Sequence, residues 1–240
     1  MKIDILAIGA HPDDIELGAG ATIAKEIAQG KTVGLIDLTR GELGTRGTAE
    51  TRDTEAEAAK NILGASFRIN MGFADGFFVN DKVHQLKLIA MIRKFQPEIV
   101  LCNAFDDRHI DHPKGSKLAS DACFLSGLIK VQTMDDQGNE QGPWRPSKVY
   151  HYMQWKNVAP DFVVDVSGYL DQKLAAVFAY KTQFHQQDSN EPVTPISTTN
   201  FKDSLTYRAQ DLGRLIGTAH AEGYNVERYA GNPMEVSTLD

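Results

Sequence analysis

The chain is short of several things, and each shortage removes a class of protein. It has only two cysteines in 240 residues, too few for a disulfide scaffold. Cys102 stands in an apolar run and Cys123 in a helical stretch, so both are expected as buried free thiols in a reducing cytoplasm. No run of about 18 apolar residues exists, which excludes a membrane-spanning helix. The opening Met1–Ala10 is too short an apolar stretch for a signal peptide, and His11 and Asp13 interrupt it. Positive charge is also in deficit: 25 Lys and Arg against 32 Asp and Glu give a net charge of −7. No basic field is available for nucleic acid or an anionic membrane. Repeats, low-complexity tracts and linkers are absent too, so 1–240 reads as a single domain.

What is present is the alternation of an α/β protein. Ile3–Ala10, Val33–Leu38, Phe67–Met71 and Glu98–Asn103 are short apolar runs of the kind that form buried parallel strands. Between them the spacing predicts helices over Gly18–Gln29, Ala49–Leu63 and Val83–Phe95, stopped by Gly30, Gly64 and Pro97 respectively. Such units imply right-handed crossovers and a doubly wound, Rossmann-like, mostly parallel sheet flanked by helices over 1–135. Residues 136–240 read as C-terminal additions. They comprise a polar loop, strands at Val149–Met153 and Phe162–Val166, and helices at Gly168–Tyr180 and Asp203–His220. Within them Glu191–Asn200 is an irregular, lid-like loop. Tyr150, Tyr152 and Trp155 read as a half-buried strand, and His84, His151 and His220 as structural or exposed. Residues 225–240 receive no role.

Ligands in doubly wound sheets bind at the carboxyl ends of strands, so the segments after Ala10, Leu38 and Asn103 are the places to search. Directly after the first strand stands Ala10-His11-Pro12-Asp13-Asp14, where a dinucleotide binder would carry glycines. After the fourth comes Asp106-Asp107-Arg108-His109-Ile110-Asp111-His112. Topology brings the two clusters together. Two histidines and one aspartate shared between them would satisfy a catalytic zinc with one position left for water. A carboxylate outside the ligand set would take the water's proton, and a histidine opposite would stabilise an oxyanion or protonate the leaving amine.

The segments Ala10–Asp14 and His109–His112 resemble the paired signatures of the LmbE-like (PIG-L) zinc deacetylases. The likeness extends over nearly the whole chain and weakens after Val226. The loop Thr39–Gly47 looks most like the bacillithiol branch, whose enzyme deacetylates N-acetylglucosaminyl-malate. The resemblance implies one Zn2+ per chain on His11, Asp14 and His112, with Fe2+ also compatible with these donors. It implies Asp13 as general base, His109 as oxyanion donor or acid, and Asp111 as the residue orienting the His109 ring. A small amino-sugar substrate and a homo-oligomer, trimer or hexamer, are implied in the same way.

For the substrate, Arg52 and Arg108 match arginines that face the group attached to the sugar, and a guanidinium clamps a carboxylate through two parallel hydrogen bonds. Glu42 and Arg46 flank the expected pocket, and His185 stands where relatives carry a pocket histidine. Gly41, Gly44 and Gly47 are expected to let their loop approach the ligand. The expected reaction is therefore hydrolysis of an N-acetyl amide. The alternatives are another N-acetylated amino sugar as substrate, or a non-catalytic metal- or sugar-binding protein, against which the complete set of Asp13, His109 and Asp111 argues.

Overall fold

A computed structural model describes residues 1–184 and 192–228. The elements run β1 (Ile5–Gly9), α1 (Asp14–Ala28), β2 (Val33–Thr39), α2 (Ala49–Leu63), β3 (Phe67–Phe73), α3 (Lys82–Phe95), β4 (Ile99–Cys102) and α4 (Asp111–Ser126). There follow β5 (Lys148–Tyr152), β6 (Phe162–Asp165), α5 (Leu170–Val177), α6 (Thr199–Arg214) and β7 (Ala221–Val226). The strands form one seven-stranded sheet in the order β3-β2-β1-β4-β5-β7-β6. β3, β2, β1, β4 and β5 pair in parallel, while β7 runs antiparallel to both β5 and β6.

The pleat sorts the apolar strand residues onto two faces. Ile5 and Ala7 of β1, with Leu35 of β2, pack beneath α1, α2 and α5 beside Ile23, Leu63 and Val177. Leu6, Ile8 and Ile36 face the other way, onto Leu88 and Ile92 of α3 and Leu118 of α4. Both faces being covered is why these strands read as unbroken apolar runs rather than as alternation. Cys102 and Cys123 lie buried and unpaired in the second of these cores. No described helix is long and apolar enough to cross a membrane.

Several expected boundaries move. Helix α1 begins at Asp14 rather than Gly18, because a left-handed residue, Asp13 (φ 113°), ends the turn and places two acids, Asp14 and Glu16, in the helix's first turn. Negative charge there is favoured by the helix dipole. Gly18 instead allows a close approach: a Cβ on it would stand 2.1 Å from the ring of Tyr152. α6 covers Thr199–Arg214, and the segment expected to continue it to His220 turns at Gly217 into β7. That strand lies at the centre of the C-terminal half of the sheet. Its Glu222 is buried, yet satisfied by Lys173 (2.7 Å) and by the backbone N–H groups of Ala21 and Thr22 (3.1 and 2.7 Å).

The strand order reverses between β1 and β4, so the crevice beyond their carboxyl ends is the topological switch point. Both polar clusters open into it.

Candidate metal centre and active site

Asp14, in the first turn of α1, is the centre of the arrangement. Its Oδ1 lies 3.0 Å from His112 Nε2, and its Oδ2 lies 3.5 Å from His11 Nδ1. The outer nitrogen of each imidazole is held by a carboxylate. His112 Nδ1 donates to Asp107, and His11 Nε2 is 3.0 Å from Asp75 Oδ1 and 3.3 Å from Asp111 Oδ2. Carboxylates on the distal nitrogens fix both rings with the inner nitrogen turned to Asp14, the usual support of imidazoles that bind metal. Two nitrogens and a carboxylate converging in this way fit a divalent cation that keeps an open position. Among the described residues, the groups whose ligand atoms all lie within 4.8 Å of one another are His11, His109 and His112, and His11, Asp75 and Asp111, so Asp14 joins the centre through its pairwise contacts with the two imidazoles.

The charges are set by these contacts. Burial disfavours the Asp14 anion, yet His112 and His11 outweigh it and hold the carboxyl well below its ordinary range. Burial likewise opposes the His112 cation, but Asp14 and Asp107 raise that ring to about 9. Asp13, immediately before Asp14, behaves differently. Its side chain is buried, and its left-handed backbone costs about 1–3 kcal/mol, strain of the kind concentrated at functional sites. Burial pushes its carboxyl up to about 7, against the pull of Arg52, whose Nη2 is 3.1 Å away.

His109 stacks on His112 at 5.0 Å and meets His11 edge-on at 4.6 Å. Burial, followed by the two neighbouring rings, holds its pKa below the ordinary value. The Asp111 backbone N–H donates to His109 Nδ1 at 3.3 Å, which leaves the ring proton on Nε2. Asp111 therefore orients His109 through its main chain. Its carboxylate, expected to do so, is taken up by His11, the Gly76 N–H (2.7 Å) and Lys114.

A cavity of about 1080 Å³ opens over this constellation and is lined by His11, Asp13, Asp14, His109 and His112. Arg52 and Arg108 line it as well. Arg52 also donates to the Pro12 and Gly41 carbonyls, and its Nε is buried without a partner. Glu42 and Arg46 are absent from the wall. Glu42 accepts the Asp75 N–H at 2.8 Å, and the Arg46 side chain folds into the protein interior. His185 lies outside the described residues. Gly44 reaches the cavity, but the close approach at Gly41 is to Arg52, whose Nη1 is 2.2 Å from where a Cβ would stand. Trp155 belongs to the wall rather than to strand β5, with the Arg108 guanidinium 4.7 Å from its ring centroid. Thr194, Pro195 and Ile196, from the irregular loop, line the far side.

Three polar residues that hold the centre carry no sequence signature: Asp75, two residues beyond β3; Asn103, directly after β4; and Gln154, two residues beyond β5. The strand-end rule applied to every parallel strand points to all three.

Known proteins resemble the chain in sequence and fold. The model of the PIG-L family, described as GlcNAc-PI de-N-acetylase, matches residues 6–123. Diacetylchitobiose deacetylase of Thermococcus kodakarensis is 29% identical over 229 residues, covering 91% of this chain and 81% of that protein. The 4-oxalmesaconate hydratase of Pseudomonas putida is 27% identical over 205 residues, covering 75% of this chain and 74% of that protein. Among solved structures, a conserved protein of Thermus thermophilus superposes with a TM-score of 0.84 at 34% identity, over 97% of this chain and 98% of that one.

Proposed function

The chain belongs to the PIG-L family, and from that premise we propose that it is a metal-dependent N-deacetylase acting on an N-acetylglucosaminyl conjugate, with N-acetylglucosaminyl-malate as the substrate. The observation that carries the reading is Asp14 set between two imidazoles, with the buried Asp13, paired with Arg52, beside it in a large cavity. His11, Asp14 and His112 would hold the ion, zinc or ferrous iron, which when bound would supply Lewis acidity toward water and the acetyl carbonyl.

The remaining steps belong to the protein. Asp13 accepts the proton of the attacking water; a carboxyl raised toward 7 by burial is a stronger base than an exposed one. Water oxygen bonds to the carbonyl carbon. His109, neutral and carrying its proton on Nε2, donates to the oxygen on which negative charge develops. The C–N bond then breaks, Asp13 returns the proton to the departing nitrogen, and acetate and a free amine leave. Arg52 orients Asp13. Arg108, which lines the cavity beside Trp155, would pair with a carboxylate on the aglycone.

The test is acetate release from N-acetylglucosaminyl-malate, from plain N-acetylglucosamine and from a muconate-type hydratase substrate, with and without chelator. Acetate and amine in equal amounts, lost on chelation and restored by zinc, are expected, fastest on the malate conjugate. Hydration without amide cleavage, as in the Pseudomonas putida relative's named reaction, would overturn the reading.

A further inference from the structure

The geometry points to Gln154, acting with Asn103, as a positioning residue that fixes the carboxylate of Asp14 for metal binding, an inference that rests on the metal reading above. The orientation of both amides is determined by the main chain. Gln154 Oε1 accepts the Ala104 backbone N–H at 3.1 Å, and a backbone N–H can only donate. The oxygen must therefore face Ala104, which turns Nε2 to Asp14 Oδ1 at 2.9 Å. Asn103 is settled in the same way. Its Oδ1 accepts the Ala10 N–H at 2.8 Å, so its Nδ2 faces Asp14 Oδ2 and Gln154 Oε1, each at 3.0 Å. The His11 N–H supplies a further bond to Oδ2 at 2.9 Å. Both oxygens of Asp14 are thus held by N–H donors from β1, β4 and β5 ends.

All of these amide and backbone donors are neutral, and no Lys or Arg joins them, unlike the donors of Asp13 and Asp111. Asp13 is paired with Arg52 and Asp111 with Lys114, so each already has a cation of the protein's own. A guanidinium or ammonium on Asp14 would compete with a metal ion for its charge. Neutral amides restrain its rotation and leave the charge available. Gln154 Nε2 also stands 3.4 Å from His112 Nε2, so the amide spans the edge between two ligands. Its backbone is pinned from outside, because Arg208 of α6 donates to the Gln154 and Trp155 carbonyls. Gln154 is only 7% exposed, Asn103 0% and Asp14 2%, burial at which a missing donor matters.

The experiment measures zinc affinity by competition with a chromophoric chelator, alongside the melting temperature of the metal-free protein. Gln154→Met keeps the length of the side chain and removes both its donor and the oxygen that accepts from Ala104 and Asn103. It is expected to weaken zinc binding about 10–100-fold, with a metal-free melting temperature lowered by several degrees and kcat recovering at saturating zinc. Gln154→Asn, one methylene short of Asp14 but still an amide, is expected to weaken zinc in the same direction and serves if the Met variant does not fold. Wild-type affinity in the folded variants would overturn the proposal, whatever happened to stability. A wild-type protein that binds neither zinc nor ferrous iron would overturn it together with the metal reading.

Discussion

The two halves of the sheet solve different problems. β3, β2, β1 and β4 are parallel and covered on both faces, and the loops and first helical turns that follow β1 and β4 carry His11, Asp13, Asp14, His109 and His112. Beyond β5 the sheet turns antiparallel, its strands contain buried charge, and its contribution to the crevice is a wall: Trp155, the loop around Pro195, and α6. On the proposed reading the first half holds the reacting groups, and the second holds them in place and faces the rest of the substrate. Substitutions around His11, Asp13, Asp14, His109 and His112 should act on kcat and metal, and those at the wall (Arg108 of the β4 loop included) or in the second half on KM, metal affinity or stability.

The largest effect expected falls in the first half. Asp13→Asn keeps shape and hydrogen bonding but cannot accept a proton, so kcat should fall about 10²–10⁴-fold with zinc content near that of wild type. Loss of zinc in this variant, with zinc retained in Asp14→Asn, would reverse the two aspartates' roles. His109→Ala should cost about 10²–10³-fold in kcat, the usual loss for one oxyanion donor. Near-normal turnover there would leave His109 only its ring contacts with His11 and His112.

The next prediction concerns protons on the ligands. In the metal-free protein His112 stays protonated up to about 9, because Asp14 and Asp107 outweigh its burial. A metal must displace that proton, so affinity should fall as pH falls, about tenfold per pH unit for one proton displaced. Between pH 8 and pH 6 chelator competition should register a loss of at least about 100-fold, with protons released on binding. The loss should be larger because His11, raised against its burial by Asp111, Asp14 and Asp75, must give up a proton too. Affinity independent of pH over that range would show that His112 is not a ligand.

How much of this was legible in the sequence follows the same division. The parallel strands were readable because burial on both faces demands continuous apolar residues, and the metal clusters because His and Asp at strand ends have few structural reasons to gather. β7 was hidden: Glu222, Gly223 and Asn225 break any strand pattern, and Glu222 is tolerable only through Lys173 and the α1 backbone, distant in sequence. Asp75 and Gln154 were hidden for a related reason. Each is a single polar residue whose meaning lies in a partner 64 or 140 positions away. Asp111 was found, but its side chain and main chain serve different histidines, which spacing cannot resolve.

A smaller effect should appear at the wall. Arg108 lies over the Trp155 ring at the cavity, whereas Arg52 is already engaged by Asp13 and two carbonyls, so Arg108 is the cleaner of the two arginines to test. Arg108→Met should raise KM for N-acetylglucosaminyl-malate by about 10-fold or more, the worth of one charge-assisted hydrogen bond, and leave plain N-acetylglucosamine nearly unchanged. Equal losses on both substrates would make Arg108 a support of the metal loop and remove the charge argument for malate.

The smallest effect tests whether the second half is merely attached to the first or braced against it. Tyr152, at the end of β5, is fully buried, and its hydroxyl reaches across β4 to donate to the Ile8 carbonyl of β1 at 2.9 Å. Its ring lies against Gly18 of α1, where no larger residue fits. Tyr152→Phe leaves this packing in place and removes only the hydrogen bond. The expected cost is about 1 kcal/mol, a drop in melting temperature of roughly 2–4 °C for a domain of this size. Because the reacting groups sit on loops fixed by their own carboxylates and amides, kcat at saturating zinc should not change. A drop in kcat with little loss of stability would reverse the inference: the brace would then act on the geometry of the β1 loop, and the division between a reacting half and a supporting half would be less sharp than the strand directions suggest.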